Sequence, residues 1–201
     1  MHIIETKTAP NPRRVRIFLA EKGIAVPMQD RQLDTLTEDA FTAINPSRQV
    51  PVLILDDGTA ISETVAICRY FEEVQPEPPL MGQGAVGRAV CEMWQRRIEL
   101  GAFAHIAHAF RHKHPSMVVM EAPQIAAWGD ANKDKAIAAL SRLEPHLAQH
   151  RYLTGDTFSI ADITLLVAMD FMKPARIPRP EGLPNLDRWY REVAARPSAS
   201  A

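Results

Sequence analysis

The stretch Asn45-Pro46-Ser47-Arg48-Gln49-Val50-Pro51-Val52-Leu53-Ile54-Leu55 decides how the rest of the chain is read. It opens as a turn and runs into β-branched and aliphatic residues. Pro51 has no N–H to give a ladder, so it suits the first residue of a strand or an edge. Its ring also holds Val50 extended. A trans bond would make this an ordinary edge strand. A cis bond would turn the Val50 main chain outward, where its N–H and C=O could pair with an extended ligand.

Downstream, Asp56-Asp57-Gly58 signals a hairpin turn, with a short partner strand over 59–61. Ser62 reads as the N-cap of a helix carrying Val65, Ile67, Cys68, Tyr70 and Phe71. Upstream, residues 3–8 read as a first strand. Pro12 suits the first turn of a helix that Gly23 terminates. Alternation of Ile24, Val26 and Met28 predicts a second strand over 24–33, and the polar residues 34–44 a short helix or loop. The order β-α-β-(α)-β-β-α predicts a small mixed sheet flanked by helices.

Pro76-Glu77-Pro78-Pro79 interrupts this pattern, and beyond it helical periodicity takes over. Residues 83–112 give one long amphipathic helix, and 123–149 a second that Pro145 kinks or breaks. Ser159 and Asp162 have capping-box spacing before an apolar helix over 163–172. A last helix over 185–195 carries Leu186, Trp189 and Val193, and the Trp189 indole N–H needs a partner. The reading is therefore an α/β domain over 1–75, a linker over 76–82 and an all-helical domain over 83–201.

Composition narrows the functional classes. With 201 residues and 46% hydrophobic content, the chain can build one or two real cores. Its 23 basic and 24 acidic side chains provide no bulk field for nucleic acid. No apolar run approaches a membrane span. Met1-His2-Ile3-Ile4-Glu5 lacks the basic-then-apolar order of a signal peptide. Cys68 and Cys91 are far apart and read as buried thiols, so a cytoplasmic protein is expected.

In order and spacing, four segments resemble the soluble glutathione transferase family: Ala9-Pro10-Asn11-Pro12-Arg13-Arg14-Val15-Arg16, Asn45-Pro46 with Gln49-Val50-Pro51-Val52-Leu53, Ser62-Glu63-Thr64-Val65-Ala66-Ile67, and Gly155-Asp156-Thr157-Phe158-Ser159-Ile160-Ala161-Asp162. The resemblance implies a thioredoxin-like first domain, a helical second domain, a cis bond at Pro51, glutathione as co-substrate and a homodimer. It implies binding roles for Val50 and Pro51 through the main chain, for Gln49 at the glycyl end, and for Glu63 and Thr64 at the γ-glutamyl end. A helix start favours a carboxylate there, and Glu63 offers charge to the ammonium.

The residue that activates the thiol departs from the family pattern. Ala9 stands where serine-type members carry their serine, and residues 1–25 contain no tyrosine or cysteine. Asn11, or Thr8 in its place, is the candidate donor to the sulfur, with backbone N–H groups at the helix start. Asn11 could equally serve as a helix cap. Arg13 is a further candidate at the site. Trp94, Arg97, His105 and His108 are candidates for lining an acceptor pocket between the domains. The histidines 105, 108, 112 and 114 lack an H-E-x-x-H pattern and are read as a polar face, without metal. The expected function is a glutathione-dependent transferase acting on electrophilic, peroxide or disulfide substrates. Rivals are a glutathione-dependent isomerase, opposed by Ala9-Pro10-Asn11 where that type has Ser-Ser-Cys, and a regulatory binding protein without turnover.

Overall fold

The computed structural model describes all residues, 1–201. It divides into two compact units, Met1–Leu80 with Pro197–Ala201, and Met81–Arg196. In the first, β1 (His2–Glu5), α1 (Pro10–Lys22), β2 (Met28–Asp30), α2 (Asp39–Ile44), β3 (Val52–Ile54), β4 (Ala60–Ser62) and α3 (Thr64–Val74) follow one another. The sheet order is β2-β1-β3-β4. β1 lies parallel to β2 and antiparallel to β3, and β3 pairs antiparallel with β4. Ile4 faces Val52 in this register, and both join Phe41 and Leu36 in one buried cluster. Val15, Phe18 and Leu19 of α1 and Ile67, Cys68 and Phe71 of α3 are buried as well. This is the small mixed sheet flanked by helices expected from the pattern, and the α/β thioredoxin-like unit that the resemblance implies.

Two local expectations are corrected. β2 is three residues long and fully exposed, not a strand spanning 24–33. Gly23 closes α1 in a left-handed conformation, which spends the Ile24 N–H on the Leu19 carbonyl, and Pro27 has no N–H to offer. Ser62 does not cap α3. It is held in the β4 ladder opposite Val52, so the cap position falls to Glu63.

The second unit is all helical: α4 (Gly84–Ile98), a π turn (Glu99–Phe103), α5 (Ala104–Lys113), α6 (Ala126–Ser141), α7 (Glu144–Leu147), α8 (Ile160–Phe171) and α9 (Pro184–Ala194). The long helix expected over 83–112 is thus continuous but widened by one π turn. The break between α6 and α7 falls at Arg142 and Leu143, and Pro145 lies in the first turn of α7, where its missing N–H costs no helical bond. Every residue of α8 from Ile160 to Met169 is buried, so this helix is the core of the unit.

Asp162 ties that core together. Its Oδ2 accepts from the Ser159 N–H and hydroxyl, each at 3.0 Å. Its Oδ1 accepts from the Leu153 N–H at 3.0 Å and from the Trp189 indole at 2.8 Å. Burial pushes the carboxyl up to about 6, against those four donors. No helix is long and apolar enough to cross a membrane.

Candidate functional site

In the first unit, three segments converge on a small solvent-open cleft lined by Asn11, Asn45, Gln49, Val50, Pro51, Glu63 and Thr64. One comes from the start of α1, one from the turn between α2 and β3, and one from the start of α3.

The turn is built by Asn45, which is only 5% exposed. Its Nδ2 donates to the Gln49 carbonyl at 2.8 Å, while its Oδ1 accepts from the Ser47 N–H at 3.3 Å and the Ser47 hydroxyl at 2.7 Å. An asparagine side chain that replaces backbone partners in this way closes a turn. Here it carries Arg48 through positive φ (55°) and delivers Val50 to the cleft. The Val50–Pro51 bond is cis. Val50 precedes β3, and neither its N–H nor its C=O bonds to another main-chain group. An extended segment laid beside it would find both a donor and an acceptor.

At the third corner, Glu63 holds φ 71° and ψ 122° at the cap of α3. That region is sparsely populated for a residue with a Cβ. The Ile67 N–H takes the Glu63 carbonyl at 3.0 Å, so the three N–H groups before it, from Thr64 to Ala66, begin the helix without intrahelical acceptors. The Glu63 side chain does not cap them. Thr64 is buried at the first helical position and Glu63 is exposed. The corner therefore presents N–H donors, a hydroxyl and a carboxylate side by side, a set suited to an amino acid's carboxylate and ammonium.

At the first corner, α1 begins at Pro10 with Ala9 in the cap position. Asn11 therefore sits inside the first turn and does not cap the helix. Its Oδ1 accepts from Arg14 Nη1 at 3.0 Å. The remaining expected residues do not line the cleft. Thr8 is exposed in the turn before α1, and Arg13 Nη2 donates to the Ala199 carbonyl at 2.9 Å. Sequence reasoning assigned no role to Asn45 or Arg14. The Asn-Pro turn signal and the i, i+3 spacing of Asn11 and Arg14 were the traces available.

In the second unit, Arg97 lies 5.0 Å over the Trp94 ring, which packs at 4.2 Å from His146. His105 Nδ1 meets Asn132 Oδ1 at 2.8 Å, and His112 Nδ1 accepts from the Ile125 N–H at 3.1 Å. Partial burial lowers the His108 pKa.

The N-terminal domain model of glutathione S-transferases matches residues 8–74, and the C-terminal domain model matches residues 106–197. The chain belongs to the glutathione S-transferase family. Among relatives of this transferase-family chain, Glutathione S-transferase 2 of Saccharomyces cerevisiae is 34% identical over 203 residues, 98% of this chain and 87% of that protein. A glutathione S-transferase domain-containing protein of Marinobacter aquaeolei VT8 superposes with a TM-score of 0.93 at 36% identity, covering 98% of this chain and 99% of that one. Gtt2 from Saccharomyces cerevisiae superposes with a TM-score of 0.94 at 34% identity, covering 100% and 99%.

Proposed function

We propose that the cleft binds glutathione and that the protein uses its thiolate on an electrophilic carbon, a peroxide or a disulfide. The observation that carries this reading is the meeting, in one cleft, of the unpaired Val50 main chain with the open helix start at Glu63-Thr64. The γ-glutamyl carboxylate sits against the first N–H groups of α3 and the Thr64 hydroxyl, where the helix dipole favours an anion. Glu63 faces the ammonium. The cysteinyl N–H and C=O pair with Val50, and Gln49 donates its amide toward the glycyl carboxylate.

Asn11 acts on the sulfur as a donor, not as a base. Its Oδ1 is already turned to Arg14, so the Nδ2 protons serve the thiolate. Donation to the charged form lowers the thiol pKa, and the proton leaves to solvent. The thiolate then forms the C–S bond as the leaving group departs with its electron pair. In a disulfide, it attacks one sulfur and releases the other as a thiolate.

Calorimetric titration with glutathione tests the reading. Saturable binding weakened by Glu63→Ala supports it, and absence of binding refutes it. A second reading, a glutathione-binding protein without turnover, draws on Ala9, which supplies no hydroxyl to the sulfur. Turnover assays with an aromatic halide, a peroxide and a glutathionyl disulfide separate the two. We further propose a cytoplasmic homodimer, for which sedimentation at micromolar concentration should give twice the 22.4 kDa chain mass.

A further inference from the structure

The helical unit holds a second cavity, of about 230 Å³, between the end of α5, the middle of α6 and the turn that follows α8. Lys113, His114, Lys133 and Arg176 line it, with Phe110 and Ile177 among its apolar walls, and no aspartate or glutamate does. Lys113 bonds to Asp130. Lys133 and Arg176 have no carboxylate partner within the protein, so the cavity keeps two uncompensated positive charges. His114 Nδ1 accepts from the Ser116 N–H at 3.3 Å, which places the proton of the neutral ring on Nε2 as a further donor. The His114 ring also stacks on Phe110, with centroids 4.6 Å apart.

Surface lysines alone would be solvated and uninformative. Arg176 is different, because the backbone argues against an arginine there. After α8, the Ile177 N–H reaches the Met172 carbonyl at 2.9 Å and the Arg176 N–H reaches the Lys173 carbonyl at 3.0 Å. These are the two bonds of a Schellman turn, with Arg176 at its left-handed position, φ 55°. The same chain closes α1 with the same pair of bonds, and there the left-handed residue is Gly23, φ 67°. Glycine adopts this conformation without the Cβ clash that an arginine suffers. Chain reversal after α8 would be better served by glycine, and what the arginine adds is a guanidinium on the cavity.

We propose that this cavity binds a small phosphate monoester bearing a flat apolar group. The phosphate carries close to two negative charges at neutral pH, matching Lys133 and Arg176. A planar guanidinium can hold two phosphate oxygens at once, and the lysine adds a point charge. The apolar group lies against Phe110 and Ile177.

The test is calorimetric titration of the full chain with phenyl phosphate, with glutathione held at saturation so that the cleft of the first unit is not read. Saturable binding that weakens with added salt is expected. Arg176→Gly should weaken it by about tenfold or more, and Lys133→Gln should also weaken it. Arg176→Gly should melt at or above the wild-type temperature, because it relieves the turn, so its loss of binding cannot be ascribed to misfolding. Inorganic phosphate should bind more weakly, since it has no apolar body. Failure of phenyl phosphate to saturate, or equal affinity in Arg176→Gly, would overturn the proposal. So would tighter binding of succinate, which would assign the cavity to dicarboxylates.

Discussion

Arg14 Nη1 donates to Asn11 Oδ1 at 3.0 Å, and that single bond determines which end of the Asn11 amide is left for the cleft. An arginine has donors only, so the Asn11 oxygen must turn toward it and the NH2 group away. Arg14 is 2% exposed, which holds the pair in place. Asn11 bonded this way can donate to an anion but cannot accept a proton.

Asn11→Ala should therefore slow thiolate chemistry by about ten- to a hundredfold, the equivalent of losing a bond worth roughly 1.5–3 kcal/mol. Ultraviolet titration should show the bound thiol pKa rising, with glutathione affinity less affected. Arg14→Met should raise the same pKa by releasing the amide orientation, and Arg14→Lys, which keeps a donor-only group, should restore part of it. In the double variant Asn11→Ala/Arg14→Met the effects should not add. Full additivity would mean that Arg14 acts on the sulfur independently of Asn11.

Glu63 separates stability from binding. Its φ of 71° stores strain of about 1–3 kcal/mol, which glycine would release at the cost of a more flexible unfolded chain. Glu63→Gly should leave the melting temperature unchanged or raise it by a few degrees, roughly 2–4 °C per kcal/mol for a chain of this size. Glutathione affinity should fall in the same variant. A lower melting temperature would show that the glutamate supports the fold.

Asn45→Ala should do the opposite. It strips the buried turn of the partners now satisfied at Gln49 and Ser47, and should destabilise the protein by about 1–3 kcal/mol. Because the turn delivers Val50, glutathione binding should weaken as well, although Asn45 carries no charge for the ligand. Chemical denaturation and calorimetry on one preparation would check both effects.

Asp162 links the helical core to pH. Burial raises its folded-state pKa from 3.8 to about 6, so the folded state binds a proton more readily than the unfolded one between those values. The stability contributed by protonation is complete below about pH 4 and is lost as pH rises through about 6. A shift of this size corresponds to about 3 kcal/mol. Asp162→Asn has no such titration, so its stability deficit against wild type should be larger at pH 4 than at pH 7. A deficit independent of pH would show that Asp162 is ionised throughout.

The α/β-then-helical order was legible because periodicity and punctuation are local: Pro12 and Gly23 bracket α1, Asp57-Gly58 turns the hairpin, and the proline run from Pro76 ends the first pattern. The capping-box spacing of Ser159 and Asp162 was legible for the same reason. Its partners were not, since the Leu153 N–H and the Trp189 indole reach Asp162 only after α8 and α9 have packed. The extent of β2 and the cap of α3 were misread because each depended on competition for hydrogen bonds. Ile24 is taken by Leu19, and Ser62 by the ladder with Val52. Segments thus announce themselves through nearest-neighbour preferences, which a linear chain displays. The assembly of Asn11, Asn45, Val50 and Glu63 into one cleft brings together residues up to 52 positions apart. Which polar atoms are consumed by neighbours, and which remain for a ligand, was decided only by the tertiary structure, because hydrogen-bond satisfaction is a property of the packed chain.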